Sequence, residues 1–116
     1  MTLEFRKVDE SVYIDFKGYC DDQSAAVNKA IIETLIGRGV KTIFCDISNL
    51  TFTTRAGYLA LDDCCMKMFH AGGKILLINP KPEVREEIEK MPFSRGCSMA
   101  ESLDEALAIA RGETAS

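Results

Sequence analysis

The sequence predicts a single α/β domain, and three observations carry that expectation. Apolar residues alternate with polar ones near the N-terminus and recur at helical spacing afterwards. Glycine pairs and prolines punctuate the chain between these stretches. One run, "KILLIN", is almost continuously apolar, as expected of a strand covered by helices on both faces. Strand-like and helix-like segments alternate in the order β-β-α-β-α-β-α-(β)-α, the pattern of a layered α/β domain. At 116 residues the chain can bury one core without staples. The domain is expected to span residues 1–112, with a frayed tail at 113–116.

Each element has a local reason. "LEFRKV" and "VYIDFKG" alternate as half-buried strands do, and the short polar "DES" between them predicts a hairpin. Asp21, Asp22 or Ser24 can cap the helix that follows, with Val27, Ala30, Ile31 and Leu35 expected on its inner side. Gly37 and Gly39 end it. "KTIFCDI" reads as a strand. A second helix carries the stripe Tyr58, Leu61, Cys65 and Phe69, widened by Leu59 and Met66, and closes at Gly72-Gly73. After "KILLIN", Pro80 and Pro82 start a shorter helix with Val84 and Ile88 turned inward. Ser102 and Glu105 form a capping box ahead of Leu103, Ala106, Leu107 and Ala110.

Composition narrows the function. A net charge of −4 argues against a general nucleic-acid binder, which needs a basic face. No apolar stretch approaches the roughly 20 residues that cross a bilayer, so membrane insertion is not expected. The N-terminus lacks a signal-peptide core, and a cytoplasmic protein is expected. Cys20, Cys45, Cys64, Cys65 and Cys97 are an odd set without metal or disulfide spacing, best read as reduced thiols serving as small hydrophobes. The lone His70 suits a helix C-terminus. "GRGVKT" lacks P-loop spacing, no G-x-S-x-G elbow occurs, and the Asp21-Asp22 and Asp62-Asp63 pairs read as a helix start and solvated surface. With no base, nucleophile or metal constellation, no enzyme, cofactor or metal site is expected.

One stretch resists this plain reading. In "FTTRAGYLAL", Thr53 or Thr54 can cap the helix, and Gly57 lets the helix pack closely or lets a partner approach. Neither accounts for Arg55 in the first turn, where the helix dipole disfavours a cation.

The segments "FKGYCDD", "CDISNLTFTTRAGYLAL", "GGKILLINPKPEVREEI" and the terminal "SLDEALAIA" fall in this order along nearly the whole chain. Together they resemble the STAS domain of bacterial anti-sigma-factor antagonists. Asp46-Ile47-Ser48-Asn49-Leu50 follows the family's strand end, Asp-hydrophobic-Ser-x-(Leu/Val). The family's signature, Phe/Tyr-(Ile/Met)-Asp-Ser-Ser-Gly-Leu, aligns with Phe52 to Tyr58. Thr54 then stands at the usual Asp, Arg55 at the first Ser, and Ala56 at the usual phosphoserine.

The resemblance implies the STAS fold, a mixed β-sheet with about four packed α-helices. It further implies a non-enzymatic binding module in bacterial signalling, an anti-sigma-factor antagonist or partner-switching regulator, monomeric or weakly dimeric. Its partner would be an anti-sigma factor that is also a serine kinase. The expected contact surface is Asp21, Asp22, Thr53, Thr54, Arg55, Gly57 and Tyr58, with Thr53 or Thr54 as substitute phosphorylation sites. Two alternatives are a STAS subunit of a membrane transport complex and a thiol redox protein using Cys64 or Cys97.

Overall fold

The structure, a computed structural model, describes residues 1–91 and 97–112. The expected frayed tail at 113–116 lies outside the described residues. Strands β1 (Thr2–Val8) and β2 (Ser11–Cys20) form the expected antiparallel hairpin, turning at Asp9, which takes a positive φ of 55°. Helix α1 (Asp22–Gly37), strand β3 (Thr42–Asp46), the short strand β4 (Leu50–Thr53) and helix α2 (Arg55–His70) follow. Strand β5 (Lys74–Ile78), helix α3 (Pro82–Glu89), strand β6 (Cys97–Ala100) and helix α4 (Leu103–Ala110) complete the chain. The element order agrees with the expected one, with β6 in the bracketed position and β4 added before α2.

The sheet runs β1-β2-β3-β5-β6, antiparallel at the hairpin and parallel elsewhere, which makes it mixed. Alternation splits the central strands between two cores. Ile14, Phe16, Ile43, Cys45, Ile75 and Leu77 face α1, α2 and α3. Tyr13, Phe44, Leu76 and Ile78 face α4 through Ala106 and Ile109. Because both faces are covered, β5 is buried from Ile75 to Ile78, as its apolar run required. Among the described residues no helix is long and apolar enough to cross a membrane.

The inner faces of the two long helices differ from expectation. On α1, Ala25 and Ile32 are buried, while Val27 is 53% exposed and Ala30 is also outside. Asn28 and Lys29 take partly inward positions because their polar ends find partners: the Asn28 amide donates to Met1 Sδ at 3.2 Å, and Lys29 pairs with Asp63 at 2.8 Å. On α2 the buried residues are Cys64, Cys65 and Met68, whereas Leu59 and Phe69 are exposed. Two thiols and a thioether fill that contact in place of the expected aromatic edge. Asp63 also meets Lys67 at 3.3 Å, so it is a half-exposed bridge between α1 and α2 rather than plain solvated surface. Val84 and Ile88 on α3 are buried as expected, and the Ser102 hydroxyl accepts the Glu105 backbone N–H at 3.1 Å to cap α4.

Candidate functional site

The unusual stretch sits where β2 changes partner. From Val12 to Asp15 β2 pairs with β3; from Gly18 to Cys20 it pairs with β4, across a register shift between Gly18 and Tyr19. Gly18 has φ +100°, a conformation that L side chains rarely adopt, and its N–H donates to the Asn49 carbonyl at 3.0 Å. The bend places Tyr19 opposite Phe52, and their rings stack at a centroid distance of 5.2 Å. Both rings are about half exposed, at 50% and 53%. An aromatic pair open to water on a sheet end is a ready anchor for a protein partner.

Both helices then start side by side. Asp21 is the N-cap of α1, and its carboxylate accepts the Ser24 backbone N–H at 2.8 Å. That bond holds its pKa below the usual carboxylate value. Thr54 is the N-cap residue of α2, and its backbone N–H donates to the Cys20 carbonyl at 3.0 Å. Its hydroxyl does not cap its own helix. It donates instead to the Asp22 carboxylate at 2.8 Å, tying the start of α2 to the start of α1. The first turn of α2 therefore has no side-chain cap, and its open N–H groups lie beside this link.

Thr53 differs from expectation. It is 7% exposed, with its hydroxyl donating to the Thr54 carbonyl at 3.3 Å, so it lies under the surface and cannot meet a partner or a kinase in the folded chain. Gly57 is explained by the same residue: a Cβ there would come within 1.8 Å of Thr53 Oγ1. The glycine thus serves close helix-to-strand packing. Ala56 packs its methyl against the core. Arg55 is exposed and meets no hydrogen-bonding or ionic partner among the described residues. Tyr58 is half-buried, and burial, with the Glu87 charge beside it, pushes its pKa up.

A groove of about 810 Å³ runs from this junction to α3, lined by Phe52, Arg55, Leu59, Glu83, Glu87 and Lys90 among others. The structure thus brings Asp21, Asp22, Thr54, Arg55 and Tyr58 to one surface and sets Thr53 and Gly57 beneath it. Tyr19 and Phe52 were not anticipated. Their signal was an apolar ring on the outer side of each strand end, facing away from Cys20 and Thr53.

The thiols are arranged for packing. Cys20, Cys45, Cys64 and Cys65 are buried, and Cys97 is half-buried. Burial pushes Cys64 up to about 11 and raises Cys20 and Cys45. Contact with Cys97, together with burial, raises Cys65. Raised thiols are poor nucleophiles at neutral pH. Among the described residues no group of three or more His, Cys, Asp and Glu side chains is placed to hold a metal ion.

The STAS domain profile matches residues 3–106. The chain belongs to the STAS-domain family. Among solved structures it is similar to the anti-sigma factor antagonist SpoIIAA in its unphosphorylated form (25% identity, TM-score 0.78, covering 96% of this chain and 99% of that one). A putative anti-sigma factor antagonist from Thermotoga maritima superposes with TM-score 0.85 at 16% identity, covering 94% of each chain. An anti-sigma factor antagonist from Mycobacterium paratuberculosis gives 0.82 at 19%, covering 95% of this chain and 93% of that one. No curated protein matches the sequence. The STAS domain seen here is therefore built like those of anti-sigma factor antagonists.

Proposed function

We propose that this STAS domain is a non-enzymatic, cytoplasmic protein-binding module of bacterial signalling. It acts as an anti-sigma-factor antagonist or a related partner-switching regulator, as a monomer or weak dimer. The observation that carries the reading is the joined pair of helix starts: Thr54 bonded to Asp22, flanked by the free cation Arg55 and the stacked Tyr19–Phe52 pair. Anchoring aromatics beside a desolvatable charge are what a specific partner surface uses.

On the family's alignment the usual phosphoserine is Ala56, whose methyl packs inward. The nearest replacement is Thr54. A phosphate on its hydroxyl would remove the donor to Asp22 and set nearly two negative charges against that carboxylate. Open N–H groups of the first turn and Arg55 would receive the phosphate instead. Modification at this position would therefore undo the link between the helices and change the surface at once.

The test starts with a pull-down from the source organism. Arg55→Glu and the double substitution Tyr19→Ala/Phe52→Ala should each weaken capture of the partner about tenfold or more. Thr54→Glu should release it, and Thr54→Ser should not. A partner bound equally by all four variants would remove this surface from the proposal.

A further inference from the structure

Beneath the start of α2 lies an apolar cavity of about 70 Å³. Phe16, Ile32, Leu61, Cys64, Leu77 and Ile88 form its main walls, so α1, α2, α3 and the sheet all contribute. A cavity stays dry unless several polar groups can hold a water. Here Thr53, the single buried polar residue among the described ones, lies on the wall. Its hydroxyl donates over a long 3.3 Å to the Thr54 carbonyl. A hydroxyl oxygen has two accepting lone pairs, so Thr53 can receive a hydrogen bond from a guest. Asn28 and Lys29 stand at the rim and direct their polar ends to Met1 and Asp63.

We propose that this cavity is a binding site for a short aliphatic alcohol, with the alkyl group in the apolar chamber and the hydroxyl donating to Thr53 Oγ1. A dry cavity of about 150 Å³ takes the six carbons of benzene, so this one, at about 70 Å³, suits about three to four non-hydrogen atoms. Occupancy is felt at the surface. Thr53, Tyr58 and Val84 line both the cavity and the floor of the groove beside α3, so a guest presses from below on the surface that a partner meets. The site gives the module a way to couple a small molecule to its docking face, independent of any phosphate.

The experiment titrates the protein with ethanol and 1-propanol, and separately with xenon, following methyl and amide NMR signals. Expected are saturable shifts at the methyls of Leu61, Leu77 and Ile88 and at the amides of Thr54 and Tyr58. Dissociation constants should be roughly millimolar, as so few atoms allow. Ile109, across the sheet, should stay unmoved. Thr53→Val keeps the shape and removes the acceptor; it should bind xenon as before and the alcohols about fivefold to tenfold more weakly. Ala60→Val, which adds carbons to the wall, should abolish both. Shifts that rise linearly at all methyls, or a Thr53→Val protein that binds 1-propanol like the parent, would overturn the site. Saturation at the methyls with still amides at Thr54 and Tyr58 would overturn the coupling.

Discussion

Replacing Gly57 with alanine should destabilise the domain, against the general rule for helices. In an open helix interior Gly→Ala gains about 1 kcal/mol, because glycine loses more backbone entropy on folding. Here the new Cβ would stand 1.8 Å from Thr53 Oγ1 and 3.2 Å from both Thr53 Cβ and Cys20 Sγ. Rotating Thr53 relieves only the first contact, and a β-branched side chain has few rotamers to rotate into. Overpacking of this kind costs about 1–3 kcal/mol. The upper half of that range, less the gain in propensity, leaves a net loss of about 1–2 kcal/mol. Urea denaturation with an unchanged m-value would measure it as a lower midpoint. A double-mutant cycle isolates the cause. With Thr53→Ala in the background, Gly57→Ala should cost at least about 1 kcal/mol less than it does alone. A Gly57→Ala protein that is more stable than the parent by about 1 kcal/mol would refute the close packing of α2 on β4.

Other outcomes follow from the charges and thiols. Burial raises the pKa of Asp46, but the Ser48 hydroxyl at 2.6 Å, the Tyr13 hydroxyl, the Ser48 backbone N–H at 3.0 Å and the Arg6 charge together hold it below the usual value. A carboxylate lowered by folding contributes stability above its unfolded pKa, about 3.9, and that stability is lost as pH falls through the folded value. Asp46→Asn should therefore cost stability at pH 7 and much less at pH 2, so that unfolding midpoints across pH show a flatter acid limb; an equal loss at both values would contradict this. In native protein, maleimide labelling should reach Cys97 first, with Cys20, Cys45, Cys64 and Cys65 reacting only on unfolding. Rapid labelling of Cys64 would revive a thiol chemistry.

The parts of the fold that were legible in the sequence are those where one physical demand acts alone. The hairpin was legible from its polar turn, although the expected half-buried alternation is not kept: β1 at the sheet edge is largely exposed, Phe5 included, and β2 buries both Tyr13 and Ile14. "KILLIN" is apolar because both of its faces are covered. Pro82 and Ser102 mark helix starts through backbone chemistry that tertiary packing does not alter. The inner sides of α1 and α2 were harder, since Asn28 and Lys29 satisfy their polar ends while partly buried, and thiols replace larger hydrophobes. Strand β4 shows no period of two: Leu50 and Thr53 are buried, with Thr51 and Phe52 exposed between them. That irregularity concealed both the strand and the burial of Thr53. At the site, Thr54 and Arg55 stood out because they break an apolar run. Tyr19 and Phe52 did not, because their meaning depends on a register that only the folded sheet supplies.

The partner exchange of β2 has a mechanical consequence. The β2–β4 pairing branches from the main sheet at a glycine, so the surface above it is mounted on a side arm and not on the five-strand wall. Force or shape change applied at Tyr19, Phe52 and Thr54 reaches the main core through Cys20 and Leu50, which are buried in it, and through the two helices. The outward rings and the inward anchors share this arm: Tyr19 and Phe52 face water while Cys20, Leu50 and Thr53 hold it to the core, so a displacement of the rings is levered onto buried side chains.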